Sequence, residues 1–275
     1  MHASVITHLR CPVCAGPLTA ADRALRCAAG HSFDIARQGY VDLTAGRSVH
    51  TGDSAEMVTA REALLEAGHF DVVSDAVAAA AAGVPGAGLI VEVGAGTGRY
   101  LARALGPDRV GLAVDVSKAA LRRAARADPR IGAVRADVWQ GLPIRDAAAD
   151  VILDIFAPRS GAEFARVLRP GGVAVVVTPA PGHLAELVAA LGMVGVDPAK
   201  PERLAASLRP WLTQVDEVPL RATLALDRAA AAALVGMGPS AWHTDPAAVT
   251  ATLAGMPEPI TATLEVRLST WRSGG

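Results

Sequence analysis

The stretch 91-VEVGAGTGRYLARAL-105 decides how the rest of the chain is read. An apolar run of strand character ends in three glycines, Gly94, Gly96 and Gly98, and then turns into a helical pattern. Glycines at such a junction let backbone approach a ligand where side chains would clash. The spacing is G-x-G-x-G with Glu92 two residues before the first glycine, whereas a dinucleotide fingerprint runs G-x-G-x-x-G. A tight strand–helix turn with no ligand is the competing account of the glycines alone.

Working outward, apolar runs and helical runs alternate. Strands are expected at 89–95, 110–116, 131–138, 150–156 and 173–179, with helices at 98–105, 117–127 and 160–168 between them. Near-continuous apolar strands separated by helices imply a parallel sheet covered on both faces. Further helices are expected at 54–70, 71–82, 181–192, 200–208 and 227–236. Two alternating stretches, 219–227 and 260–271, are expected to close the far edge of the sheet. Asp115 ends the second strand, where a carboxylate accepts from ribose hydroxyls. Asp137 ends the third, placed for an adenine amino group with Val138 packing on the ring, and 169-RPGG-172 precedes the fifth. Together with Glu92 and the glycines, this set resembles the S-adenosylmethionine (AdoMet) loop of class I methyltransferases. The implied fold is α/β, a Rossmann-like doubly wound sheet.

A second signal lies upstream. Cys11, Cys14, Cys27 and His31 follow the spacing C-x2-C-x12-C-x3-H and include every cysteine of the chain. Two knuckles brought together offer four N/S ligands in a tetrahedron, the arrangement zinc prefers. Pro12, Gly16 and Gly30 favour the turns. Four protein ligands leave no position for water, so the site is expected to be structural. The alternative is three reduced thiols in a small module, but so short a module commonly needs a metal staple. A zinc-binding domain is therefore expected at 1–45, a linker with two helices at 46–82, and the methyltransferase domain at 83–275.

Composition sets limits. With 275 residues, 51% hydrophobic, the chain is long enough for a large domain plus a small one. Net charge is −1, so no global basic field advertises nucleic acid, and any polyanion contact must come from local patches. Lysine occurs only at 118 and 200, arginine being used instead; it suits bidentate contacts, although a GC-rich genome gives the same bias. No apolar leader or bilayer-length run is present, and odd, clustered cysteines make a poor disulfide framework. A cytoplasmic protein is expected, with no membrane partner.

Taken together, CPVC, C-x3-HSFDIARQGYVDL, GDSAEM, AREALLEAGHF, the glycine loop, LAVDVSKAA, IFAP, LRPGG, TPAPGHL and GMGPSAW resemble the 23S ribosomal RNA (guanine-N1)-methyltransferases almost end to end. That group includes macrolide-resistance members. The resemblance implies a zinc domain that helps recognise an RNA hairpin and an AdoMet domain that methylates guanine N1. It also implies AdoMet contacts from Phe70, Tyr100, Leu101 and His183; by residue type alone these are core residues and a helix-end polar group. In 154-DIFAPRS-160, Asp154 is a candidate base and Phe156 a candidate stacking platform. Solvent or a backbone carbonyl is the alternative proton acceptor, and strand-end polarity the alternative role for Asp154. Arg10, Arg23, Arg26, Arg37 and Arg47 are candidate RNA contacts, in a cleft that a homodimer would enlarge. Two rival readings are a zinc-bearing small-molecule methyltransferase of antibiotic biosynthesis and a non-catalytic AdoMet-responsive RNA-binding module.

Overall fold

A computed structural model describes residues 1–44, 46, 50–86, 88–193, 195–238 and 245–274. Its centre is an eight-stranded sheet. In chain order the strands are β4 (Tyr40–Asp42), β5 (Leu89–Val93), β6 (Val110–Asp115), β7 (Ile131–Arg135), β8 (Ala149–Ile155), β9 (Leu168–Pro179), β10 (Leu212–Leu226) and β11 (Ile260–Ser273). Their spatial order is β10-β11-β9-β8-β5-β6-β7-β4. Strands β4 to β9 run parallel, while β11 is antiparallel to β9 and β10 to β11. The five inner strands expected from the apolar runs are present, and the two alternating stretches do form the far edge. The RPGG segment lies inside β9. Leu168 pairs with Ala149 and Val173 with Val151, so the intervening residues bulge out of register.

Chain order reverses between β5 and β8: β6 follows β5 on one side, and β8 returns on the other. Crossovers leave this point in opposite directions, which opens a crevice beyond the carboxyl ends of the two strands. Strand residues alternate between two apolar layers, Ile90 in one and Leu89, Val91 and Val93 in the other. The first layer packs under α2 (Ala55–Glu66), α3 (Asp71–Ala82) and α9 (Arg228–Gly236); the second packs under α6 (Gly161–Val167) and α8 (Lys200–Leu208). Ser54 caps α2, accepting from the Met57 amide at 3.2 Å. Buried Arg109 donates to the carbonyls of Ala81 and Gly86 at 2.7 and 3.1 Å, fixing the end of α3 against the sheet.

The N-terminal module holds α1 (Ala3–Ile6) and a three-stranded antiparallel ribbon, β1 (Thr19–Ala21), β2 (Ala24–Arg26) and β3 (Ser32–Asp34). It is not separated from the large sheet. Val5, Ile6 and Leu9 share a core with Leu112 and Val134, and a Cβ on Gly132 would lie 2.8 Å from Val5. Strand β4 falls within the 1–45 span expected for the small domain, yet it pairs with β7 of the large sheet. Packing is therefore continuous between residues 1–44 and the large sheet. The helices α5 (Lys118–Ala127) and α7 (Ala185–Leu191) fall within those expected at 117–127 and 181–192, whereas α10 (Pro246–Ala254) and α1 have no counterpart in the sequence reading.

Candidate active site and metal centre

The metal candidates converge as their spacing requires. Donor atoms of Cys11, Cys14, Cys27 and His31 all lie within 4.8 Å of one another. Cys14 Sγ is 3.6 Å from Cys27 Sγ, and His31 Nδ1 is 3.6 Å from Cys11 Sγ and 3.3 Å from Cys27 Sγ. A tetrahedron with ordinary zinc bond lengths has edges of about 3.5–3.7 Å, so the donor set fits zinc. A disulfide would require about 2 Å between sulfurs. Burial would raise the Cys27 thiol, but hydrogen bonds with the backbone and ring of His31, with Cys14 and with the Ala29 backbone bring it down to about 6. That favours the thiolate, the form that binds metal.

At the switch point the glycine loop takes the conformation its composition allows. Gly94, Gly96 and Gly98 have φ of 66°, 52° and 75°, left-handed values that side chains rarely adopt. A Cβ on Gly94 would sit 2.5 Å from the Ala157 Cβ, so the loop after β5 is packed against the turn after β8. Glu92 is buried in β5 and accepts from the Leu101 amide at 3.2 Å; burial pushes its carboxyl well up. Tyr100 and Leu101 are buried on α4 (Arg99–Ala104), and burial also raises the Tyr100 hydroxyl.

Asp115 stands at the end of β6. Its two oxygens accept from the amides of Gly96 and Ser117, at 2.9 and 2.7 Å. A carboxylate has about four lone-pair sites, so two remain for a pair of hydroxyls. Burial raises this carboxyl against those hydrogen bonds. At the end of β7, Asp137 accepts from the Trp139 amide at 3.0 Å and pairs with His50 Nδ1 at 2.6 Å, with Val138 buried beside it. Backbone glycines, paired hydroxyl acceptors and a strand-end acid together fit an adenosyl ligand carrying an amino-acid end.

The segment around residues 50–61, expected as a polar linker leading into a helix, lies across this edge. Ser117 Oγ donates to the Asp53 carbonyl at 2.7 Å, and a Cβ on Gly52 would meet the Ser117 amide at 2.7 Å. Arg61 pairs with Asp53, donates to the Met237 carbonyl at 2.9 Å, and places its guanidinium over Gly96. His50 and Arg61 were not singled out in the sequence; only their position on the sheet edge reveals them.

Beyond β8 three aromatic rings meet. The Phe156 ring is 6.4 Å from Phe70, edge-on, and 5.9 Å from His183. Phe156 is 41% exposed and has φ of 56°, an outlying conformation for a bulky side chain. The Glu265 amide donates to His183 Nδ1 at 3.3 Å, which leaves the ring proton on Nε2. Burial, helped by the Lys200 charge, pulls His183 down to about 4. Asp154 is wholly buried. Arg159 grips both of its oxygens, at 3.0 and 3.3 Å, and donates to the Ala157 carbonyl at 2.8 Å. Burial nonetheless pushes the Asp154 carboxyl up to about 6.

Arg23 and Arg26 of the N-terminal module line one depression with Asp22 and Asp34. Arg10 pairs with Asp146 at 3.3 Å and donates its amide to the Pro143 carbonyl at 3.0 Å, tying the knuckle to the segment after β7. Arg47 lies outside the described residues. Trp139, on that same segment, is 57% exposed.

Comparison with known proteins agrees with this geometry. Residues 9–45 match the N-terminal zinc ribbon of the RlmA family, and residues 90–172 match a methyltransferase domain. Among solved structures, one assigned as a methyltransferase from Bacillus halodurans aligns with a TM-score of 0.52 at 13% identity, over 74% of this chain and 99% of its own. The methyltransferase bound to Haloferax volcanii Trm112 aligns at 0.53 and 17%, over 82% and 100%. These likenesses concern the fold. A Streptomyces fradiae 23S rRNA (guanine(748)-N(1))-methyltransferase is 47% identical over 99% of both chains. A Micromonospora griseorubida protein bearing the name of a 23S rRNA (guanine-N1)-methyltransferase is 54% identical, also over 99% of both. With full-length identity of that order, a zinc-fitting knuckle and a class I sheet, the chain belongs to the 23S rRNA (guanine-N1)-methyltransferases.

Proposed function

We propose that this enzyme methylates the nucleotide equivalent to guanine 748, the one named for the Streptomyces fradiae relative. The observation that carries the reading is Phe156, a half-exposed aromatic held at positive φ beside the glycine loop. Enzymes that modify a base take it out of its stack and hold it against such a surface. Bound there, AdoMet would supply an electrophilic methyl group, which N1 would take as the S–C bonding pair stayed on sulfur and the N1 proton left to solvent. The chain's residues hold and orient. Glu92 and the glycine loop with Tyr100 and Leu101 cradle the amino-acid end. Asp115 accepts from the ribose, Asp137 and Val138 take the adenine, and Phe70 and His183 wall the site beside Phe156. Neutral His183 adds no charge there.

In this reading the zinc knuckle and the segment bearing Trp139 form the RNA-facing side, and the biological result is macrolide resistance of the tylosin type, in the cytoplasm. Among the described residues no helix is long and apolar enough to cross a membrane. The test is primer extension on 23S rRNA transcripts incubated with enzyme and AdoMet. An N1-methyl group blocks Watson–Crick pairing, so a stop is expected at the equivalent of guanine 748. A stop at another guanine would reassign the target, and no stop would refute the reading. Expression in a macrolide-sensitive host checks the resistance part separately.

A further inference from the structure

The unresolved chemical problem is the N1 proton. Guanine N1 is a poor nucleophile until that proton leaves, and the electron pair left behind spreads over N1 and O6. Asp154 is the acid nearest the stacking residue in sequence, yet its carboxylate is wholly buried and faces Arg159, not the crevice. Arg159 is the group that lies between Asp154 and the surface. Its Nε and Nη2 are committed to Asp154 and to the Ala157 carbonyl, while Nη1 makes no hydrogen bond with the described residues. The side chain keeps 15% exposure. The turn that carries it, Phe156–Arg159, abuts Gly94 through Ala157 and Pro158. A fixed cation with an N–H edge that no described residue takes is therefore carried on the same turn as the aromatic platform, and that turn abuts the glycine loop.

We propose that Arg159 is a catalytic residue that donates from Nη1 to guanine O6, both selecting guanine and stabilising the N1-deprotonated base. This inference rests on the reading of Phe156 as the stacking platform. Arginine to O6 is the commonest specific contact to guanine, and adenine presents an amino donor at that position instead. Fixed donors aimed at developing charge in a partly dry site are worth far more than in water. Solvent takes the proton, and Arg159 makes the resulting anion accessible near neutral pH. Asp154 is then the positioning residue: it holds the guanidinium plane and needs no contact with substrate. Other charged groups around the turn are Lys200 of α8, whose positive charge acts in the same sense and beside which Arg203 is paired with Asp197, and Glu265 on β11, whose amide holds neutral His183.

The test uses the full chain with an in vitro 23S rRNA hairpin transcript bearing guanine or 2-aminopurine at the target. 2-Aminopurine lacks O6. Without AdoMet, wild type is expected to bind the guanine hairpin about tenfold more tightly, and Arg159→Gln to lose that preference. With AdoMet, Arg159→Gln is expected to lower kcat about 100-fold at neutral pH, with the deficit narrowing as pH rises and N1 ionises unaided. Arg159→Lys is expected to recover part of the rate. Because Arg159→Gln strands a buried carboxylate, the double variant Asp154→Asn/Arg159→Gln repeats the measurement on a neutral, hydrogen-bonding pair. Neutral-pH activity of the double variant within threefold of wild type, or undiminished preference for O6, would overturn the assignment. Absence of methylation by wild type would instead refute the proposed target, leaving the binding comparison to judge Arg159.

Discussion

The zinc knuckle and the crevice edge after β8 show two ways in which a sequence encodes a site. In the knuckle all four donors lie within 21 residues, and each pair is set by its own turn. Ligand identity and ligand geometry are therefore the same information. At the crevice edge Phe156 meets Phe70 and His183, contributed by segments far away in the chain, and Asp154 is turned inward by a residue five positions on. There the residue types name the participants but not which way each one faces. Local closure makes a site legible; long-range convergence does not.

The largest effect that tests this contrast is removal of the metal. Cys27→Ser deletes a ligand of a module that has little core of its own, and structural zinc in small modules contributes about 10–16 kcal/mol at neutral pH. Since Leu9, Cys11 and Cys27 share a core with Leu112 and Val134, the loss is expected to spread to the large sheet. Metal analysis should show zinc below stoichiometric, and thermal melting should show a lowered or broadened transition. Retained zinc with an unchanged melt would mean that the knuckle folds without its fourth ligand.

Next is Gly94→Ala. The new Cβ meets the Ala157 Cβ at 2.5 Å and sits on backbone with φ of 66°, so both strain and overpacking apply. A loss of about 2–4 kcal/mol is expected in chemical denaturation, together with weakened AdoMet binding by calorimetry. Normal stability and affinity would show that the loop after β5 and the turn after β8 are mechanically independent.

How much was legible follows from the same contrast. The inner strands, the glycine loop, the strand-end acids and the presence of two further strands at the far edge were readable because apolar runs and turn residues are local signals; that those two strands run antiparallel was not. The edge position of β4 was not, because three residues pairing with β7 leave no periodicity to read. His50 and Arg61 were hidden for a similar reason. Nothing in 46–61 predicts that the chain folds back over Asp137 and Gly96. Arg159 sits within a stretch that drew attention for Asp154 and Phe156, and only its bidentate grip shows its importance.

A smaller effect concerns His183, whose folded pKa of about 4 lies below its usual value near 6.5. The unfolded chain binds this proton first, so its contribution is complete above about pH 6.5 and is lost as pH falls towards 4, by about 3 kcal/mol at most. Asp154, raised to about 6, works in the opposite direction over roughly pH 4–6. The wild-type profile is thus expected to be flatter than that of Asp154→Asn, and His183→Asn should lose stability more slowly than wild type on acidification. Parallel profiles in urea titrations at pH 4.5 and 7 would show that His183 is solvated.

The finest test asks whether the segment before α2 belongs to the cofactor site or only covers it. His50 Nδ1 holds one oxygen of Asp137 at 2.6 Å, on the carboxylate proposed to accept the adenine amino group. If His50 competes for that oxygen, His50→Ala should tighten AdoMet binding by about three- to tenfold, the range expected for one hydrogen bond. Asp137→Ala should weaken it in the same calorimetric series. Weaker binding by His50→Ala would instead make the ring part of the cradle, fixing Asp137 for the ligand. Either result decides how residues 50–61 belong to the cofactor site: His50 acts directly on the strand-end acid Asp137, while the Ser117–Asp53 hydrogen bond holds the same segment to the sheet edge.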